Sequence, residues 1–424
     1  MGKRCAALVL FISLLALAPA CLAKGEVKPY PFTDPYKATV FGTPPEMIYH
    51  PARVGFVAEK SLTIKDRHTP DLFWYAEDLD YSMVLQDKGA PLMFLVAGTG
   101  ARHNSAKMRF LAQVFYSQGY HVVCVSSPTH YNFIVSASRY AAAGYVPHDV
   151  EDLYRVMLWC KEVVEKRQPV TSISVGGYSL GGMHSAFLAR LDSQRGDFKF
   201  RKVLLINPAV NLYSSALRFD SWLSPKNTGG ETPNQIIDKF FRQFADFYKS
   251  RELKTLDSEV LYQLSDYLKA SDADYRVLIA TAFRITSSSM VFTSDVCLNA
   301  GYIVPADKVL TKYDPLLPYM NAASRIRFED YLDEYLYPYL QFLGVEGSKE
   351  DVIRRCSLES IGEYLKGAGN IAVVGNEDDP ILDEGNLNFL RDTFGDRVRL
   401  FPHGGHCGNL QHVNFVNAML EAVK

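Results

Sequence analysis

An excess of charge of either sign is missing from this 424-residue chain: 45 Lys and Arg stand against 47 Asp and Glu, a net charge of −2. A chain without a basic excess has no electrostatic footprint for a polyanion, so nucleic acid is not expected as a partner. Metal-ligand spacing is also missing. The seven cysteines form no Cys-x-x-Cys pair and no Cys/His pattern of the zinc type, so no metal is expected. Disorder and low complexity are excluded by composition, with 48% hydrophobic and 22% charged residues. Tryptophan is scarce at three residues, yet 25 Tyr and 25 Phe raise the aromatic share to 12%. No repeat of fixed period is present. The length exceeds the usual domain of roughly 150 residues two- to threefold, which leaves one large domain with an insertion, or two domains.

Long apolar runs are absent except at the start. Lys3 and Arg4 precede an uncharged stretch from Cys5 to Ala23, and Ala18-Pro19-Ala20 and Cys21-Leu22-Ala23 both offer small residues where a signal peptidase cuts. The pattern predicts a secretory signal peptide over 1–23 and an exported protein, periplasmic or secreted, the stretch being short for a membrane span. Cys21 offers a second expectation, lipid anchoring and so membrane association through the N-terminus. An uncleaved anchor is the third. Without residues 1–23 the chain loses Lys3 and Arg4, leaving 43 basic against 47 acidic residues, or −4. Five cysteines remain, Cys124, Cys160, Cys297, Cys356 and Cys407. Cys124 reads as a small core residue, and export would permit a bridge between Cys297 and Cys356.

From residue 92 apolar strands alternate with amphipathic helices. Strands are expected at 92–97, 120–125, 173–177 and 203–206, with helices over 106–117, 149–166 and 180–191 between them. Asp149 and Glu151 suit the first turn of their helix. Such alternation predicts a mostly parallel sheet covered on both faces. It stops over 209–369, where the sequence reads as helices, among them 233–248, 258–268 and 328–337. It resumes with strands at 371–374 and 398–401 and helices over 387–394 and from 412. The expected organisation is a signal peptide (1–23), an N-terminal extension with strands at 61–65 and 83–86 (24–90), a core in two parts (91–208 and 370–424) and a helical cap inserted between core strands (209–369).

The sharpest motif is Gly177-Tyr178-Ser179-Leu180-Gly181, between a strand and a helix. A serine there occupies a tight turn, and the flanking glycines remove Cβ clashes so that its hydroxyl projects over the sheet edge. An activated serine needs a base. His406 in Pro402-His403-Gly404-Gly405-His406-Cys407-Gly408 follows the last strand in a loop that glycines loosen; His403 is nearer the strand end and His412 opens the final helix. The acid should follow the preceding strand, where Glu377-Asp378-Asp379-Pro380 lies. Asp379, held extended by the proline, is preferred, with Asp378 as the alternative. Oxyanion donors are expected at the backbone N–H of Leu180 and, in Gly98-Thr99-Gly100, of Thr99. The Gly98-x-Gly100 pair is no dinucleotide fingerprint, because His103 stands where a third glycine is needed.

With the elbow, the late acid and the Gly-Gly-His loop in that order, the chain resembles the α/β-hydrolase superfamily over about residues 85–208 and 370–424. The resemblance implies an α/β-hydrolase fold and a cofactor-free Ser-Asp-His hydrolase with a cap over the site. Asp378-Asp379-Pro380 and Gly405-His406-x-Gly408 also look like the branch acting on lipid-like esters. The cap carries Phe240, Phe241, Phe244, Phe247, Tyr248, Tyr262, Tyr267, Tyr335, Tyr337, Tyr339 and Phe342. That stock suits a hydrophobic roof over an acyl pocket, although helix–helix packing is the default role of any one of them. The expected activity is hydrolysis of an apolar or lipid-like carboxylic ester, a small-molecule substrate, with a peptidase or amidase, or a catalytically silent binding protein on this fold, as the other readings.

Overall fold

A computed structural model describes residues 29–64, 68–251, 263, 267 and 270–424. The expected signal peptide and nearly all of the helix expected over 258–268 lie outside the described residues, as do the side chains of Phe240, Phe241, Phe244, Tyr248 and Tyr262.

Eight strands form one sheet: β1 (Ala58–Leu62), β2 (Leu79–Val84), β3 (Ala90–Val96), β4 (His121–Val125), β5 (Val170–Tyr178), β6 (Val203–Ile206), β7 (Ile371–Asn376) and β8 (Val398–Phe401). Their order across the sheet is β1-β2-β4-β3-β5-β6-β7-β8. β1 and β2 run antiparallel to their neighbours and every other pair is parallel. The two strands expected in the N-terminal extension belong to the main sheet. They begin three and four residues earlier than the pattern implied. The pattern understated β1 because that strand reads AEKSL, with no fully buried residue.

Strand side chains alternate between two apolar layers, as the pleat requires. Leu92, Phe94, Val96, Val175, Leu205 and Val373 point into one layer. Met93, Leu95, Cys124, Leu204, Ile206 and Val374 point into the other. The helices α2 (Ala106–Ser117), α4 (Val146–Glu165) and α5 (Leu180–Arg195) cover these faces; α1 (Pro35–Phe41) precedes the sheet, and α3 (Tyr131–Ser136) buries Phe133 and Ile134 in the core. Both faces are therefore buried, which is why the parallel strands read as nearly continuous apolar runs.

Between β6 and β7 the chain is mainly helical. It includes α6 (Leu212–Trp222), α7 (Pro233–Arg251), α8 (Asp272–Leu298) and α9 (Leu317–Ala323), then a helical run over 328–342. The long helix α8 starts from a capping box between Ser271 and Asp274. It is long and apolar enough to cross a membrane, but 61% of its most apolar window is buried inside the protein, as in a central packing helix. The buried pair Arg284–Asp220 joins α8 to α6, and Asp220 also accepts the N–H groups of Phe328 (2.7 Å) and Glu329 (3.2 Å). The Cys297–Cys356 bridge does not form. The Cys356 thiol is buried instead against Val146 N (3.4 Å) and Gly144 O (3.7 Å), at the junction of the helical insert with α4.

Asp149 lies in the first turn of α4, as expected, while Glu151 falls beyond it. Asp149 is buried beneath the insert, accepts the Gly144 N–H at 3.0 Å, and lies 3.8 Å from His184 Nε2. Burial pushes its carboxyl up to about 8, and burial pushes His184 down to about 3, so the imidazole supplies no counter-charge. The folded protein thus holds a proton on Asp149 that the unfolded chain, titrating at about 3.9, releases. Stability must fall as pH rises between those two values. An Asp149→Asn variant, neutral at every pH and still able to accept from Gly144, is expected to gain melting temperature over wild type at pH 8 and to gain much less near pH 5. Thermal unfolding at the two pH values measures this, and an equal difference at both contradicts it.

Candidate active site

Ser179 ends β5 and precedes α5, with backbone angles φ 56° and ψ −126°. That conformation is strained for a residue bearing a Cβ, and it is held by packing on both sides. A Cβ on Gly177 would meet Gly181 O at 2.4 Å and Val96 O at 2.7 Å; one on Gly181 would meet Val96 O at 2.2 Å. These are backbone atoms that cannot step aside, so the two glycines are what let the turn close against β3. The Ser179 N–H donates to Ile206 O at 2.9 Å, fixing the turn to β6.

The loops after β7 and β8 bring the partners. His406 Nε2 lies 2.8 Å from Ser179 Oγ, and its Nδ1 lies 2.9 and 3.1 Å from the two carboxylate oxygens of Asp379. Asp379 is buried, and it also accepts from Asn207 Nδ2 (3.1 Å) and from the Ile381 N–H (3.1 Å). Its neighbour Asp378 faces the other way. There it accepts the N–H groups of Gly404 (3.2 Å) and Gly405 (2.8 Å), and burial raises its carboxyl above the usual range. Asp378 therefore holds the histidine loop, while Asp379 holds the ring. His403 lies 3.8 Å from Asp378, and His412 caps the last helix by accepting the Asn414 N–H. Neither of these two histidines hydrogen-bonds Ser179.

Leu180 and Thr99 line the same cavity as Ser179 and His406. Leu180 is the first residue of α5, where a backbone N–H has no partner within the helix. The Gly100 N–H, next to Thr99, donates to Thr129 Oγ1 at 2.7 Å. The cavity measures about 830 Å³. Phe219, Phe283, Phe292, Leu316, Met320 and Ile381 give it an apolar wall, much of it from the helical insert. Phe73 and Tyr75, from the segment before β2, close another side. Among the described residues no cluster of metal-ligating side chains occurs.

Sequence reasoning missed three polar residues here. Asn207 braces Asp379, and Thr39 accepts the backbone N–H of His406 at 2.9 Å. His130 lines the cavity; its Nδ1 accepts the Asn132 N–H at 3.3 Å, so the ring proton sits on Nε2. Burial, reinforced by Arg102 and His103, pushes it down to about 3 and keeps it neutral. Asn207-Pro208 was visible as a strand end, but none of the three lies in a motif.

A family model described as "alpha/beta hydrolase fold" matches residues 90–413. No curated protein matches the chain. Similar solved structures include fungal esterases from Rhizomucor miehei, at 15% identity and TM-score 0.40, covering 88% of this chain and 83% of that one. A Pyrococcus furiosus esterase is 10% identical with TM-score 0.42, covering 87% and 90%. A thioesterase domain from the curacin biosynthetic pathway is 12% identical with TM-score 0.41, covering 87% and 100%. Likeness at this level carries no information about substrate.

Proposed function

The chain belongs to the α/β-hydrolase fold family, and on that premise we propose that it is an exported serine hydrolase cleaving an apolar carboxylic ester. The observation that carries this reading is the continuous hydrogen-bonded line Asp379–His406–Ser179, opening into an apolar cavity of about 830 Å³. Ser179 Oγ attacks the ester carbonyl while His406 Nε2 takes its proton. Asp379 keeps the Nδ1 proton on its own side and stabilises the imidazolium. The N–H groups of Leu180 and Thr99 receive the oxyanion, and the N-terminal end of α5 adds positive potential. His406 then protonates the departing alcohol, and a water that it activates releases the acid from Ser179. Export rests on residues 1–23 alone, with lipidation at Cys21 as the variant that would leave the enzyme at a membrane.

Chain length in the acyl group reads the cavity directly. Each added CH₂ that leaves water contributes about 0.8 kcal/mol, or roughly fourfold in kcat/KM, until the cavity is full. A series of p-nitrophenyl esters from acetate upward is expected to climb and then plateau, with peptide p-nitroanilides far slower. Faster cleavage of the anilides contradicts the ester reading and favours an amidase.

A further inference from the structure

Residues 29–43 run along the back of the histidine loop. Asp34 caps α1 by accepting the Lys37 N–H at 2.7 Å, and one face of that helix meets the loop. The Thr39 hydroxyl donates to Pro35 O (2.6 Å) and accepts the His406 N–H (2.9 Å). Thr43 Oγ1 donates to Gly408 O at 2.8 Å. A Cβ on Gly405 would lie 2.2 Å from Pro35 O, and one on Gly408 would lie 2.1 Å from Ala38 O. The two backbones are therefore in contact, and the glycines flanking His406 are there to receive α1. The other face of the helix meets α6 and α8. Tyr36 packs edge-on to Trp222, and Phe41 to Tyr275, each pair with ring centroids 5.8 Å apart.

We propose that this segment is a positioning strap, with Thr39 as the residue that sets His406 against Ser179, acting from outside the region that the family model matches, which begins at residue 90. The proposal rests on the hydrolase reading above. A threonine hydroxyl serves because it can donate to Pro35 O and accept from His406 at once, so the histidine backbone is fixed without a charge next to the ring. Without that acceptor the His406 N–H is left unpaired in a part-buried place, and the loop relaxes to satisfy it. A shift of about 1 Å at a catalytic group costs on the order of 100-fold in rate.

The test compares Thr39→Val with Thr39→Ser in the full chain, reading kcat and KM on one ester together with melting temperature. Thr39→Val is expected to lose about 10- to 100-fold in kcat with KM changed less than twofold, and Thr39→Ser to recover most of it. Wild-type kcat in Thr39→Val overturns the proposal, as does an equal loss in both variants, which would make the role one of shape alone. Thr39→Ala, which adds no atoms, carries the same comparison if Thr39→Val does not fold. Labelling of the wild type by a fluorophosphonate is run beside these. Its failure counts against the hydrolase reading, whereas a labelled wild type with an unimpaired Thr39→Val counts against the strap alone.

Discussion

Ser179→Ala is expected to lower kcat for ester hydrolysis by up to about 10⁶-fold while the protein stays folded, the scale seen when a triad nucleophile is removed elsewhere. The size of the effect follows from the geometry. Ser179 Oγ is the cavity hydroxyl that His406 Nε2 reaches, at 2.8 Å. Alanine keeps the Cβ that the turn already accommodates at φ 56°, so no new clash arises. It removes only the hydroxyl and its bond to the imidazole, and melting temperature should change little. Kinetics and thermal unfolding on the same preparation separate the two effects. A loss below tenfold would move the nucleophile to another hydroxyl lining the cavity, among them Thr99, Ser105, Ser215 and Ser289.

Asp379→Asn is expected to cost about 10⁴-fold, because an amide facing Nδ1 favours the wrong imidazole tautomer while leaving the shape intact. Asp378→Asn should cost about tenfold or less. Its remaining oxygen can still accept one of the two loop N–H groups, and the loop keeps its other ties to α1. The contrast between neighbours is the informative part, since both variants remove one negative charge from the same loop. Measured kcat/KM in the reverse order would give Asp378 the role of triad acid.

Much of this architecture was legible because it is local. Apolar runs announced the six parallel strands, and Gly177, Ser179 and Gly181 announced a turn whose reason, backbone contact with β3, is visible only in three dimensions. The order of serine, acid and histidine narrowed the site to a few residues. It preferred Asp379 but kept Asp378 as an alternative, because which carboxylate faces the ring depends on how the chain turns through Pro380 to the Ile381 N–H. What stayed hidden was mostly long in sequence separation or polar in pattern. Thr39 meets His406 across 367 positions, and Asn207 meets Asp379 across 172. β1, reading AEKSL, has too few apolar residues to fix its bounds, and in place of the permitted Cys297–Cys356 bridge the Cys356 thiol accepts the Val146 N–H. The aromatic excess also divides. Phe219, Phe283 and Phe292 wall the cavity, while Tyr331 and Tyr335 pack within the insert itself.

The central claim is that Ser179 is an activated nucleophile, and the most direct measurement is covalent. Intact-mass analysis after exposure to a fluorophosphonate, followed by peptide mapping, is predicted to find one adduct per chain, on Ser179, formed slowly in His406→Ala and not at all in Ser179→Ala. A folded wild-type protein that acquires no adduct, or an adduct that persists in Ser179→Ala, would contradict it.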